Sequence, residues 1–253
     1  MLHENAKAND REEFLDEIEF MKNLEFHPHI LSLIACSTNP IFPLILTGIC
    51  EFGDLLNLLR KINEQNSNIT FEDLVPIAWQ ICDALVFLSE KKIIHRDVAA
   101  RNVLLTQNKT AKLSDFGLCR VNKEQIYRSR GGKFPIKWMA PEAIEFCLFS
   151  SKSDVWSFGI VLYEMYSFGK TPFCSLDNGE VLQFLKDGNR LEIPSEAPKM
   201  IKEIMNGCWK GDPSDRVDLL EIRDNYYKEM EKNTHKYEYL SFSKGYYRLC
   251  ETR

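Results

Sequence analysis

The string richest in potential chemistry is His95-Arg96-Asp97-Val98-Ala99-Ala100-Arg101-Asn102. It carries a carboxylate, a guanidinium and a side-chain amide close together. A second acid, Asp115, opens Asp115-Phe116-Gly117, and a third closes Ala140-Pro141-Glu142. A positioned carboxylate can take a proton from a reacting hydroxyl. Asn102 and Asp115 offer hard oxygens of the kind that hold a divalent cation. The plainer readings are a turn residue for Asn102 and a strand-end cap for Asp115. Each three-residue string alone is close to chance in a chain of 253 residues. The eight-residue string is not.

All three strings stand in the order and spacing of a protein kinase catalytic core, and from about residue 1 to 230 the chain resembles the protein kinase family. The resemblance implies phosphoryl transfer with ATP and Mg²⁺, which needs a positioned hydroxyl and screening of phosphate charge. It makes Asp97 the acceptor of the substrate's proton, and Asn102 and Asp115 the metal ligands. Thr47 falls at the gatekeeper position. Gly48, Ile49 and Cys50 would form the hinge, and with Leu104 they would line the nucleotide. His95, Phe116 and Met21 are expected to pack as core. Glu142 would pair with Arg216. Asp154 would cap a buried helix and hold the backbone of the catalytic loop.

The acceptor can be narrowed on the same footing. Serine/threonine kinases of this family usually carry Lys where Ala99 stands. Ala99-Ala100-Arg101-Asn102 resembles the tyrosine kinase form, with Arg101 in the catalytic loop, as does Pro135-Ile136-Lys137-Trp138-Met139-Ala140-Pro141-Glu142. Tyrosine carries its hydroxyl farther from the backbone than serine, so selection rests on pocket depth, with Pro135 and Trp138 as an apolar shelf. The expected partners are therefore protein or peptide tyrosines. Tyr127 lies between Asp115 and Glu142 and is the expected regulatory phosphorylation site, with Arg96 as the phosphate's partner. Glu51-Phe52-Gly53-Asp54-Leu55-Leu56-Asn57-Leu58-Leu59-Arg60 looks most like receptor-type tyrosine kinases. That implies dimerisation through a parent receptor and a place on the inner side of a plasma membrane; the chain as given reads as cytoplasmic.

No Gly-rich phosphate loop and no third-strand lysine occur in the sequence. The resemblance puts that lysine just before Met1, with Glu17 as its ion-pair partner. Three readings follow: a tyrosine kinase whose given sequence begins late, a shortened non-catalytic binding module, and a pseudokinase. The intact Asp97, Asn102 and Asp115 favour the first. Residues 1–253 alone are expected to have little kinase activity.

These residues need a frame. Asn9 to Leu24 reads as a helix with Phe14, Glu17, Met21 and Leu24 on one face. Ile30–Ala35 and Leu44–Ile49 read as a hairpin of buried strands. Thr70-Phe71-Glu72-Asp73 resembles a capping box, opening a helix that carries Leu74, Ile77, Ile81, Leu85 and Leu88, with a turn distorted at Pro76. Gly117 to Lys133 reads as a mobile loop. Val155 to Tyr166 is apolar on nearly all sides and should be buried. The order, a little β first and much α after, predicts two lobes of unequal size; the resemblance implies an α+β, protein kinase-like fold with a small-lobe remnant of helix and antiparallel sheet over 1–50, a mainly helical large lobe over 51–232, and a tail over 233–253. Apolar residues at 44% and charged residues at 27% fit a globular domain. A net charge of -5 gives no nucleic-acid footprint. The longest apolar run, Ile41 to Cys50, is too short to span a bilayer.

Overall fold

A computed structural model describes residues 8–39, 42–62, 67–121, 127–128 and 134–237. The first helix, α1 (Ala8–Asn23), buries Ile18 and Met21. Phe14, Glu17, Phe20 and Leu24 lie half-buried around them. The buried face is thus the predicted one, turned slightly so that Ile18 and Phe20 share it.

Strands β1 (Leu33–Ser37) and β2 (Leu44–Thr47) form the predicted antiparallel hairpin, with an irregularity between Leu33 and Ala35. They are not the buried strands the sequence suggested: Ile34 is 65% exposed, Leu46 51% and Ile49, just beyond β2, 78%. Alternate side chains leave opposite faces of a sheet. Only one face of this two-stranded sheet turns to the core, through Leu33 and Ile45. Ile30 leaves the hairpin altogether and makes an isolated parallel bridge with Leu113. Leu31 N–H donates to Leu113 O at 2.9 Å, and Leu113 N–H donates to His29 O at 2.9 Å. The segment after α1 is thereby laced to the strand that feeds Asp115.

The middle of the chain builds short ladders between helices. Strand β3 (Gly53–Asp54) runs straight into α2 (Leu55–Ile62) and pairs with β5 (Val103–Leu105), which pairs with β6 (Ala111–Leu113). Between them lie α3 (Leu74–Glu90) and β4 (Ile93–Ile94); β4 pairs with β7 (Arg120–Val121). Strand β8 (Tyr127–Arg128) pairs with β9 (Leu148–Phe149), across α4 (Pro141–Phe146). The predicted loop over 117–133 therefore holds β7 and β8, and its residues 122–126 and 129–133 lie outside the described ones.

Helix α3 carries its predicted face inward, with Leu74, Ile77, Ile81, Leu85 and Leu88 all buried. Pro76 sits in its first turn, where no N–H is needed, so the expected distortion has no cause. The predicted capping box is realised from one side: Thr70 donates its N–H to the Asp73 carboxylate at 2.7 Å and its hydroxyl at 3.0 Å.

Helix α5 (Ser151–Tyr166) is buried on almost every side. Ser150 and Ser153 close its capping box, so Asp154 is not the cap the sequence suggested. Ser153 occupies the third helical position and reaches the free N–H of Ser150, which frees Asp154 to point elsewhere. α5 packs against α7 (Lys199–Cys208); α6 (Asn178–Lys186), α8 (Leu219–Lys232) and α9 (Thr234–Tyr237) complete the helical body. The fold is α+β and mainly helical.

Candidate active site

The chain from His95 to Asn102 is a loop between β4 and β5, and its shape comes from buried carboxylates rather than from a ladder. Asp154, 3% exposed, accepts the N–H of His95 at 2.8 Å and of Arg96 at 3.0 Å. Arg96 stands in the left-handed region at φ 69°, where a side chain costs energy unless neighbours impose it. Two N–H donors favour the Asp154 anion and burial opposes it; burial wins and carries its pKa up to about 7. His95 is fully buried, its ring 5.6 Å from that of Phe116. Burial drives its pKa down to about 4, so the neutral ring packs and accepts the Asp97 N–H.

Asp97 is 9% exposed. Its Oδ1 takes the Arg101 guanidinium and its Oδ2 takes Asn102 Nδ2 at 2.8 Å, while Asn102 Nδ2 also reaches Asp97 O at 2.9 Å. Burial raises the Asp97 pKa, against Arg101 and Asn102, with Asp115 adding to the rise. Ser114 ties the next segment down: its N–H and hydroxyl donate to Asn102 O at 2.8 and 2.9 Å. Asp115 follows at once, exposed and at φ 63°. A short polar side chain tolerates that region best. Asp97, Arg101, Asn102 and Asp115 are thus gathered in one place.

Glu17 comes to the same place from α1. Its Oε1 accepts the Phe116 N–H at 3.4 Å. Burial raises its pKa first, and the charge of Asp115 adds to that. Phe20, which the sequence reading did not single out, stacks on Phe116 at 5.7 Å. Met21 is in the core, 6% exposed. Thr47 ends β2, and Gly48, Ile49 and Cys50 lead into β3. Gly53 N–H bonds Cys50 O at 3.0 Å and Phe52 N–H bonds Leu105 O at 3.1 Å. Leu104, half-buried, stands opposite Asp54.

On the other side of the loop, Pro135 precedes a single turn, Ile136–Trp138. The Arg101 guanidinium lies 4.5 Å from the centre of the Trp138 ring. Trp138 Nε1 donates to Glu164 Oε2 at 3.0 Å, and the same oxygen accepts Ala100 N–H at 2.9 Å. Glu164 was missed from sequence, although a carboxylate inside a helix apolar on nearly all sides was a usable signal. Arg96 packs its guanidinium 5.2 Å from Phe149 and 5.7 Å from Phe134. Phe149 is the register partner of Tyr127. Glu142 and Arg216 make a separate bidentate pair, at 2.7 and 2.8 Å.

Among the described residues no three His, Cys, Asp or Glu side chains are grouped to hold an ion. The pair Asn102 and Asp115 fits Mg²⁺ in another way. The amide nitrogen of Asn102 is committed to Asp97, which leaves its oxygen as a ligand, and Asp115 is open to solvent. Mg²⁺ keeps water and phosphate oxygens in most of its shell, so one or two protein oxygens suffice.

Comparison with known proteins agrees with this geometry. Residues 1–226 match the family described as protein tyrosine and serine/threonine kinase. The Caenorhabditis elegans protein F09A5.2, provisionally named a tyrosine-protein kinase, is 41% identical over 250 residues, 94% of this chain and 29% of its own length. Human tyrosine-protein kinase ABL2 is 41% identical over 217 residues, 85% of this chain and 18% of its own. Tyrosine-protein kinase SRK3 of Spongilla lacustris is 39% identical over 221 residues, 85% of this chain and 65% of its own. The chain spans less than two thirds of each of these relatives. With a family match that runs through every motif described above, the chain belongs to the protein tyrosine and serine/threonine kinase family.

Proposed function

We propose that this chain is the catalytic domain of a protein-tyrosine kinase, transferring the γ-phosphoryl group of ATP to tyrosine hydroxyls of proteins. The observation that carries the reading is the Asp97 carboxylate, buried, held by Arg101 and Asn102, and beside Asp115. Tyrosine as the acceptor is supported by the names of the relatives and by the stacking of Arg101 on Trp138. When bound, Mg²⁺–ATP supplies the transferable group and the screening of its charge.

The chain's own residues then have these roles. Asp97 orients the phenol and accepts its proton as the new oxygen–phosphorus bond forms and the bond to ADP breaks. Asn102 and Arg101 fix the Asp97 carboxylate. Asn102 and Asp115 would hold the metal. Thr47, Gly48, Ile49, Cys50 and Leu104 would line the base. Glu17 would orient the nucleotide's lysine partner. Pro135 and Trp138 would support the substrate ring. Tyr127 would be the activating phosphorylation site, with Arg96 close to its strand partner Phe149. The domain would extend over 1–232, with 1–50 and 51–232 as its two lobes.

A receptor-type origin, with dimerisation and membrane anchorage, rests on the Glu51–Arg60 string alone; no relative named above carries "receptor" in its name. Among the described residues no helix is long and apolar enough to cross a membrane.

The test uses protein expressed from its complete reading frame, Mg²⁺, labelled ATP and matched peptides with tyrosine, serine or threonine as acceptor. Label is expected on tyrosine and lost in Asp97→Asn. Label on serine, or none with wild type under conditions where nucleotide binds, overturns the reading.

A further inference from the structure

Four groups close a ring beside the site, and Asp97 is joined to it through Arg101. Asp97 holds the Arg101 guanidinium, and Arg101 lies 4.5 Å over Trp138. Trp138 gives its indole N–H to Glu164 Oε2 at 3.0 Å, and that oxygen takes the Ala100 N–H at 2.9 Å. Ala100 is the residue before Arg101, so the ring is closed by a peptide bond. Glu164 is 1% exposed and Ala100 is fully buried. The Ala100 N–H has no water as an alternative, and a buried N–H without an acceptor costs more than the bond itself contributes. Trp138 is also held by Ser157 Oγ, which donates to Trp138 O at 2.8 Å. The bond to Glu164 differs from that one: it joins the shelf directly to the loop bearing Asp97.

We infer that Glu164 is a positioning residue, whose single buried oxygen registers the Asp97–Arg101 turn against the Trp138 shelf so that the phenol's support and its proton acceptor share one frame. The inference rests on the tyrosine kinase reading for its purpose, but its physical content is a coupling between Trp138 and the Ala100 amide. Loss of the Trp138 N–H leaves Glu164 with one partner and frees it to turn. A shift of the turn by a fraction of an ångström moves Asp97 relative to the shelf, and transfer depends steeply on such placement.

Two measurements test it. The first is amide hydrogen exchange at Ala100, which needs no activity. Trp138→Phe keeps the ring under Arg101 and removes only the indole N–H; it should speed Ala100 exchange about tenfold, the worth of one hydrogen bond. Ser157→Ala loosens the same turn without touching Glu164 and should leave Ala100 within about twofold. Equal effects of the two variants, or none from Trp138→Phe, overturn the inference.

The second is kinetic. Glu164→Leu removes the acceptor and should lower kcat/KM for a tyrosine peptide about 100-fold, with KM for ATP nearly unchanged. Glu164→Gln retains an acceptor oxygen and should restore most of the loss. Equal losses for Leu and Gln, or a matching loss of ATP affinity, also overturn it. Wild type that labels no tyrosine, yet shows the Ala100 coupling, defeats the tyrosine reading and leaves the positioning role standing.

Discussion

Asp97 shows how much of the proposed chemistry is set by two neighbours. Burial pushes its pKa above the ordinary carboxylate value, and the charge of Arg101 is the largest force pulling it back. The base must be ionised to accept a proton, so the rate of transfer falls as pH drops through the raised value. Arg101→Ala removes the opposing charge and lets the Asp97 pKa rise further. The acid limb of the kcat/KM profile for a tyrosine peptide is therefore expected at higher pH in Arg101→Ala than in wild type. A limb that stays put, or moves to lower pH, would show that Arg101 does not face the reacting carboxylate. The identities of Asp97, Arg101, Asn102 and Asp115 were legible in sequence because motif order restricts them. Glu164 and Phe20 were not. Glu164 has no string of its own, and Phe20 lies off the predicted stripe by one position, yet its ring stacks on Phe116. Sequence spacing sets which face a residue shares and not which of two neighbours reaches farther.

At the scale of elements, α5 does most of the positioning. Asp154 near its start holds His95 and Arg96, and Glu164 near its end holds Ala100. One buried rod thus fixes the loop at both ends. Its placement depends on Gly159, where an added Cβ would lie 2.6 Å from Trp209 Nε1 and 2.8 Å from Cys208 Cβ on α7 and the turn after it. Cys208 Cβ is tied to its own backbone and cannot swing aside. Gly159→Ala should destabilise by about 1–3 kcal/mol through forced separation of α5 from α7. Urea unfolding measures it; an unchanged midpoint would mean that the two helices tolerate the shift. Asp154 adds a pH signature. Its folded pKa, about 7, lies above the ordinary 3.8, so between those values the folded state holds a proton that the unfolded state has released. Its contribution is full below the lower value and is lost as pH rises through the upper one. Asp154→Asn cannot accept both N–H groups and should be less stable at pH 5, with the gap to wild type narrowing by pH 8. Thermal unfolding at both pH values checks the sign, and a gap that widens at pH 8 would mean the anion is the favoured form. The burial of α5 was legible because its apolar residues leave no polar stripe. The exposure of the hairpin was not, because a run of apolar residues reports β tendency and says nothing about whether a second layer covers the sheet.

For the whole molecule, the question is what joins the segment after Asp115 to the helical body. Glu142 begins α4, and Arg216 lies just before α8; the pair spans much of the chain in one bidentate contact. The Arg216 side chain is 0% exposed and that of Glu142 15%. Arg216 also donates to Lys152 O at 2.8 Å and Lys210 O at 3.0 Å, with its guanidinium 5.1 Å from the Trp156 ring. Glu142→Leu would leave a buried guanidinium with carbonyl partners and no countercharge, at a cost of about 3–5 kcal/mol. The double variant Glu142→Leu with Arg216→Met removes the charge as well. It should recover part of that loss, because no buried ion remains, but not all of it, because the carbonyls of Lys152 and Lys210 lose their donor. Equilibrium unfolding of the two single variants and the double variant measures the coupling. Strict additivity would mean the two groups act independently and that α4 is held by apolar packing around Ala143 instead.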